Sequence, residues 1–404
     1  MSEQTNDQKI HYKITILEND MKKTILIAII VVATCIAGAL FFIIPSTAPR
    51  QALTTYFSYT KSDLDSLAGL SSKQRITTDD IFAWDSKAFT AVIQAKTSDV
   101  VASKFYTYLA IGQREFDHLS YNHTGVHSGN IAVVSKQVFC QFYPADCGLI
   151  FITGDTDAYS EKLANIVVEK MNNRILEDDR NTKLYPAKIG PEYWNGPEPM
   201  LGREVGSWKP WFIKSSDQFR VPESLSFGSA AFDEQLKITQ NALKNVTPEQ
   251  RKAVIFWAGG PGTKTPPGIW LDIADQYMKG KQVTVQDLLT IRASLTAAMA
   301  DAFIGCFDSK YTYWVRRPFM VDESIQTVMP TPNHPSYPAG HACVSAAADV
   351  VLAHYFPEDR DTWNQKSHEA ADSRLWGGIH YTRDNQEGFT LGTSVAQLVL
   401  QQVQ

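Results

Sequence analysis

From Ile81 onward, apolar positions recur three and four residues apart, the spacing of a helix that buries one face. This spacing predicts helices over Ile81–Gln94, Ser98–Asp117, His127–Phe142 and Asp155–Asn173, and later over Phe232–Asn245, Pro248–Trp257 and Ile269–Lys279. Trp84, Phe89, Val92 and Ile93 form the apolar stripe of the first. Thr247 followed by Pro248 reads as an N-cap with proline at the first helical position. The longest amphipathic segment runs from Val285 to Lys310, with Leu288, Leu289, Ile291, Leu295, Met299, Phe303 and Ile304 on one broad face. Asp287, Arg292, Asp301 and Asp308 within it argue against a membrane span. A run of small apolar residues after His341 predicts a buried helix that ends before Pro357. The expected fold class is therefore all-α.

Two stretches break the pattern. Residues 175–230 are punctuated by Pro186, Pro191, Pro197, Pro199, Gly202 and Gly206, with Trp194, Trp208 and Trp211 as packing anchors. So long an irregular stretch inside a domain is expected to form a lid or a site wall. The other break is N-terminal. Residues 1–23 are polar and carry Lys9, Lys13, Lys22 and Lys23; residues 24–44 then run without a charge, long enough to span a bilayer as a helix. The lysines ahead of it place the N-terminus inside. An uncleaved signal anchor is the favoured reading; a cleaved signal beginning at Met21 and a lipoprotein with Cys35 lipidated stay open. All three put the body outside the cytoplasm, in the periplasm behind an inner-membrane anchor or secreted if the signal is cleaved. The expected organisation is a tail (1–23), a transmembrane helix (24–44), a polar linker (45–80, partly helical around Leu64–Leu70) and a helical domain (81–404).

Composition changes this picture little. The 404 residues carry a net charge of −5 and no basic block, which excludes an electrostatic nucleic-acid binder. Cys140 and Cys147 flank a short turn and can close a small disulfide loop, in keeping with an oxidising compartment. Cys306 and Cys343 read as small core residues. Gly260 and Gly262 lack the Gly-Lys-Ser/Thr of a phosphate loop.

The candidate chemistry gathers between Lys310 and Asp384, in three pieces. Lys310 and Arg317, seven residues apart, would share one face of a helix that Pro318 ends, leaving both at a helix end open to a ligand. Pro338-Ala339-Gly340-His341 opens the predicted buried helix, so free N–H groups and the positive dipole end fall at Gly340 and His341. His380 and Asp384 are spaced so that, on a helix, the carboxylate reaches one imidazole nitrogen and leaves the other free as nucleophile or metal ligand. Gly377-Gly378 suggests a break that lets Arg374 converge with His380. Each piece alone has an ordinary reading: solvated cations, turn punctuation, a surface pair. In combination they equip a chain to grip a compact oxyanion.

The pattern Lys-x6-Arg-Pro, Pro-x-Gly-His, Ser-Arg-x5-His-x3-Asp resembles that of the type 2 phosphatidic acid phosphatase and vanadium-dependent haloperoxidase superfamily. It is carried here by Lys310, Arg317, Pro318, Pro338, Gly340, His341, Ser373, Arg374, His380 and Asp384. The segment Trp208–Phe219, Trp257, Asp301–Ile304 and Thr331–Pro338 are similar to the soluble bacterial haloperoxidase-like branch, a likeness spanning about residues 80–400. The resemblance implies α-helical bundles with vanadate held at the end of the second. It implies a bond from His380 to vanadium, with Lys310, Arg317, Arg374 and the Gly340 N–H on the oxyanion, Asp384 holding His380, and His341 as acid–base. His334 falls where bromide-using members carry a second histidine. The implied reaction is oxidation of halide, bromide foremost, by hydrogen peroxide. Two alternatives stay open: hydrolysis of phosphate monoesters through a phosphohistidine, with no cofactor, and a non-catalytic oxyanion-binding protein. Ala339 departs from the family's usual serine, and losing that hydrogen bond would cost about 1–3 kcal/mol of anion binding.

Overall fold

The computed structural model describes residues 55–152 and 154–403. The expected tail and transmembrane helix, and the first part of the linker, lie outside the described residues. Thirteen α-helices follow in order among those described: α1 (Lys61–Asp65), α2 (Thr78–Gln94), α3 (Asp99–Thr124), α4 (Ile131–Phe142), α5 (Ala158–Asn181), α6 (Ala230–Lys244), α7 (Pro248–Phe256), α8 (Thr265–Lys281), α9 (Val285–Tyr313), α10 (Pro318–Val321), α11 (Gly340–Tyr355), α12 (Arg360–Trp376) and α13 (Thr382–Val403). Every helix expected from periodicity is present. Boundaries differ most where polar residues extend a helix past its apolar stripe, as α3 and α5 do.

The helices form two groups that meet on α9. One group is α2, α3, α4, α5 and α8; the other is α6, α7, α11, α12 and α13. α9 packs on α3 and α8 on one side and on α11 and α13 on the other. It is long and apolar enough to cross a membrane, but 94% of its most apolar window is buried inside the fold, the burial of a core helix. Its arginine is held internally. Arg292 pairs with Asp85 of α2 and donates to Gln113 Oε1 of α3 at 2.7 Å.

The irregular stretch, now residues 182–229, is tied to α9 by two buried carboxylates two turns apart. Asp301 accepts the N–H groups of Trp211 (2.7 Å), Phe212 (2.7 Å) and Ile213 (3.1 Å). Asp308 accepts from Arg220 Nε at 2.6 Å and Nη2 at 2.8 Å, and from the Tyr185 hydroxyl. Main-chain bonds from Trp194 N to Trp314 O and from Leu201 N to Asn333 O seat the stretch against residues 314–333. Cys140 and Cys147 form a disulfide, and Cys306 and Cys343 are free and buried.

Two local expectations are corrected. Lys310 and Arg317 do not share a helix: α9 ends at Tyr313, where Trp314 takes left-handed geometry (φ 56°), and Arg317 is the N-cap of α10. Nor are they open to solvent; both are fully buried. His380 is not helical either. It sits in the turn between α12 and α13, and Asp384 reaches it from the first turn of α13.

Candidate active site

Four helix ends converge on one small volume. The C-terminal end of α9 brings Lys310, that of α12 brings Arg374, the start of α11 brings Gly340 and His341, and the start of α13 brings Asp384. Gly377 and Gly378 (φ 74°) end α12 and turn the chain so that His380 faces back. α7 closes one side with two main-chain carbonyls: Val254 O accepts from Arg374 Nη2 at 3.0 Å, and Trp257 O lies 2.7 Å from His341 Nε2.

His380 is the centre. Its Nδ1 lies 2.8 Å from Asp384 Oδ2. Arg317 Nη1 stands 3.3 Å from Nε2 and donates to Ile379 O at 2.8 Å. A guanidinium only donates and a carboxylate only accepts, so the proton sits on Nδ1 and the lone pair on Nε2. Burial, reinforced by the charges of Arg317 and Lys310, holds the imidazole's pKa well below its ordinary value, so the ring is neutral. Asp384 also accepts the Tyr381 N–H at 3.2 Å, the N-cap amide of its own helix. Burial raises its pKa to about 6.

Lys310, Arg317 and Arg374 are each 0% exposed. None makes a salt bridge among the described residues. Two fixed guanidinia and an ammonium are thus gathered there; the carboxylate charges that reach Lys310 and Arg317 are those of Asp384 and Asp99. Burial pushes Lys310 down to about 8, Arg317 to about 10 and Arg374 to about 9, with the Arg317 charge adding to the last. Their donors are satisfied by neutral atoms. Lys310 Nζ donates to the carbonyls of Pro335 (3.0 Å), Ser336 (2.8 Å) and Pro338 (2.5 Å). Arg317 Nε donates to His334 O at 3.0 Å, and its Nη2 is 3.1 Å from His334 Nδ1. Arg374 Nε donates to Ser373 Oγ at 3.0 Å, and its Nη1 lies 2.9 Å from Met329 Sδ. Buried charge with only neutral partners is costly and is relieved by an anion.

The start of α11 adds uncapped donors. Ala339 is its N-cap and offers no side-chain acceptor to the first amides. A Cβ on Gly340 would meet only Phe303, at an ordinary 3.5 Å, so protein packing alone does not demand glycine there. His341, half-buried beside it, donates from Nε2 to the Trp257 carbonyl, which leaves its Nδ1 lone pair free. Burial and the Arg374 charge hold it neutral. His334 is 4% exposed and sits edge-on to Phe307, with ring centroids 5.2 Å apart.

The fold thus brings together Lys310, Arg317, Gly340, His341, Arg374, His380, Asp384 and His334. Sequence reasoning missed Ser336, whose Oγ is 2.5 Å from Asp384 Oδ2, although it lies inside the Thr331–Pro338 segment. It also missed the Val254 and Trp257 carbonyls, which carry no side-chain signal.

Comparison with known proteins bears on this segment directly. Residues 291–404 match the PAP2 superfamily. The fold is similar to a bacterial vanadium-dependent iodoperoxidase described as the first of its kind, with a TM-score of 0.69 at 22% identity over 83% of this chain and 98% of that one. It is also similar to a holo-type bacterial vanadium-dependent chloroperoxidase, with a TM-score of 0.60 at 13% identity over 77% of this chain and 92% of that one. No curated protein matches the sequence. Residues 291–404, the segment that matches the PAP2 superfamily, hold all eight of these residues.

Proposed function

We propose that this protein is a vanadate-dependent haloperoxidase that oxidises halide, bromide foremost, with hydrogen peroxide. The observation that carries the reading is the set of three buried cations, none in a salt bridge among the described residues, around a neutral His380 whose unprotonated Nε2 meets only the Arg317 guanidinium. This donor set fits vanadate: one neutral nitrogen for the metal, fixed cations for its oxygens, and the uncapped amides of α11. His380 Nε2 would be the ligand, with Arg317, Arg374 and Lys310 balancing the oxyanion charge. Bound vanadate supplies a Lewis-acidic centre that activates peroxide toward halide. The protein's own part is proton handling and order. His341 Nδ1 would take up and hand back the proton of hydrogen peroxide. Asp384 keeps the His380 proton on Nδ1 throughout. His334, held between Arg317 and Phe307, supports bromide as the halide. The likeness in fold to haloperoxidases over most of both chains favours this branch.

A second reading is hydrolysis of phosphate monoesters, favoured by the superfamily match over the site segment. There His380 Nε2 attacks phosphorus as the P–O bond to the alcohol breaks, His341 Nδ1 passes a proton from the phosphate monoanion to the leaving alkoxide, and water then releases phosphate. The body is placed outside the cytoplasm, a reading supported by the Cys140–Cys147 disulfide and the apolar segment 24–44. The test is to load the purified full chain with vanadate and assay bromide oxidation and phosphomonoester hydrolysis side by side. Vanadate-dependent bromination supports the first reading, and hydrolysis that vanadate inhibits supports the second. Anion binding with neither activity leaves a non-catalytic oxyanion-binding protein and overturns both.

A further inference from the structure

We infer that Ser336 is a positioning residue that keeps the Asp384 carboxylate turned to His380 Nδ1, and through it holds His380 in its working tautomer; this rests on the proposed role of His380 Nε2 above. Ser336 is fully buried in the turn ahead of α11. Its Oγ is 2.5 Å from Asp384 Oδ2 and 3.2 Å from His380 Nδ1. A hydroxyl has one proton to give, and the shorter contact to a carboxylate takes it. Oγ then shows only lone pairs to the imidazole. Nδ1 therefore faces two acceptors, Asp384 Oδ2 at 2.8 Å and Ser336 Oγ at 3.2 Å, and must carry the proton. On the opposite edge of the ring, Arg317 Nη1 can only donate to Nε2. Without the hydroxyl, Asp384 Oδ2 loses its shortest donor. It keeps only the amide of Tyr381 at 3.2 Å besides the imidazole itself.

Ser336 is in turn fixed through its main chain. Its N–H donates to Val315 O at 2.9 Å, and its carbonyl accepts from Lys310 Nζ at 2.8 Å. The other two Lys310 protons bind the carbonyls on either side, at Pro335 and Pro338. Lys310 holds the Ser336 main chain, and the Ser336 side chain holds Asp384, which holds His380. Lys310 thus clamps the turn that carries the hydroxyl, and its charge reaches the site from behind that turn.

The test compares two probes on the full chain and its Ser336→Ala variant. Orthovanadate needs the Nε2 lone pair, whereas inorganic phosphate meets the cations and amides without a bond to nitrogen at equilibrium. The variant should lose about 10–100-fold in vanadate affinity and keep phosphate affinity within about threefold. In 15N-histidine spectra, His380 should be the Nδ1–H tautomer in the wild type and a mixture in the variant, with His341 unchanged at Nε2–H. Loss of both anions together, as collapse of the turn would give, overturns the inference, as does wild-type vanadate affinity in the variant. If the wild type binds neither anion, the proposed function fails instead. The spectra then still decide, because a variant whose His380 stays wholly Nδ1–H has no need of Ser336.

Discussion

His380 and His341 carry their protons on opposite ring nitrogens. His380 is bound through Nδ1 and offers Nε2; His341 is bound through Nε2 and offers Nδ1. The two substitutions should therefore behave differently. His380→Ala should abolish vanadate binding. His341→Ala should leave vanadate bound and lower turnover by about 10²–10⁴-fold, the usual contribution of a positioned acid–base group; stopped-flow bromination at saturating vanadate measures it. Equal loss of vanadate affinity in both variants would contradict the division of roles. Residue spacing alone marked both histidines, Arg374 and Asp384 as candidates, because these identities sit at telling intervals. It did not reveal which nitrogen of His341 is engaged, since the partner is a carbonyl 84 residues away. Nor did it reveal that Lys310 directs all three of its protons to the main chain, since that depends on the path of residues 335–338.

α9 and residues 182–229 illustrate what periodicity can and cannot carry. The helix was legible because its apolar face recurs locally. That stretch was legible only as irregular, because what orders it is a carboxylate about 90 residues further along, Asp301. Asp301→Ala would leave three amides without their acceptor and should cost about 1–3 kcal/mol or more, measured by urea unfolding and by faster proteolysis within 182–229. Its pH dependence has a definite sign. Burial raises the Asp301 pKa to about 6 in the folded chain, from 3.8. Between those values the folded state holds more proton than the unfolded one, so Asp301 makes stability fall as pH rises through this window. Relative to Asp301→Asn, the wild type should lose about 1.4 kcal/mol per pH unit from about pH 4 to 6 and run parallel above it. A difference that grows above pH 6 would contradict the assignment. The same limit of local reading explains Lys310 and Arg317. Seven-residue spacing placed them on one helix, whereas left-handed Trp314 ends α9 between them.

At the scale of the molecule, two groups of helices meet on α9 and place four helix ends around one charge-rich volume. The fold class and the order of the helices were readable from the chain; the convergence was not, because Lys310 and Asp384 meet only through packing. Three buried cations, none in a salt bridge among the described residues, leave the site with an excess of positive charge. Anion binding should stabilise it, by about 2.7 kcal/mol at one hundred times the dissociation constant, and calorimetric scans with and without orthovanadate or phosphate read this directly. Chloride at equal ionic strength should do much less, because screening does not replace a compact oxyanion. Reduction of the Cys140–Cys147 disulfide, which closes a loop far along the chain from the site, should lower thermal stability without changing vanadate affinity.

The account stands on one site for one tetrahedral oxyanion. Equilibrium dialysis of the full chain against orthovanadate measures that directly. One equivalent bound by the wild type, and lost in both His380→Ala and Arg374→Ala, is the predicted result. A folded wild type that binds none, or binding that survives both substitutions, would contradict it.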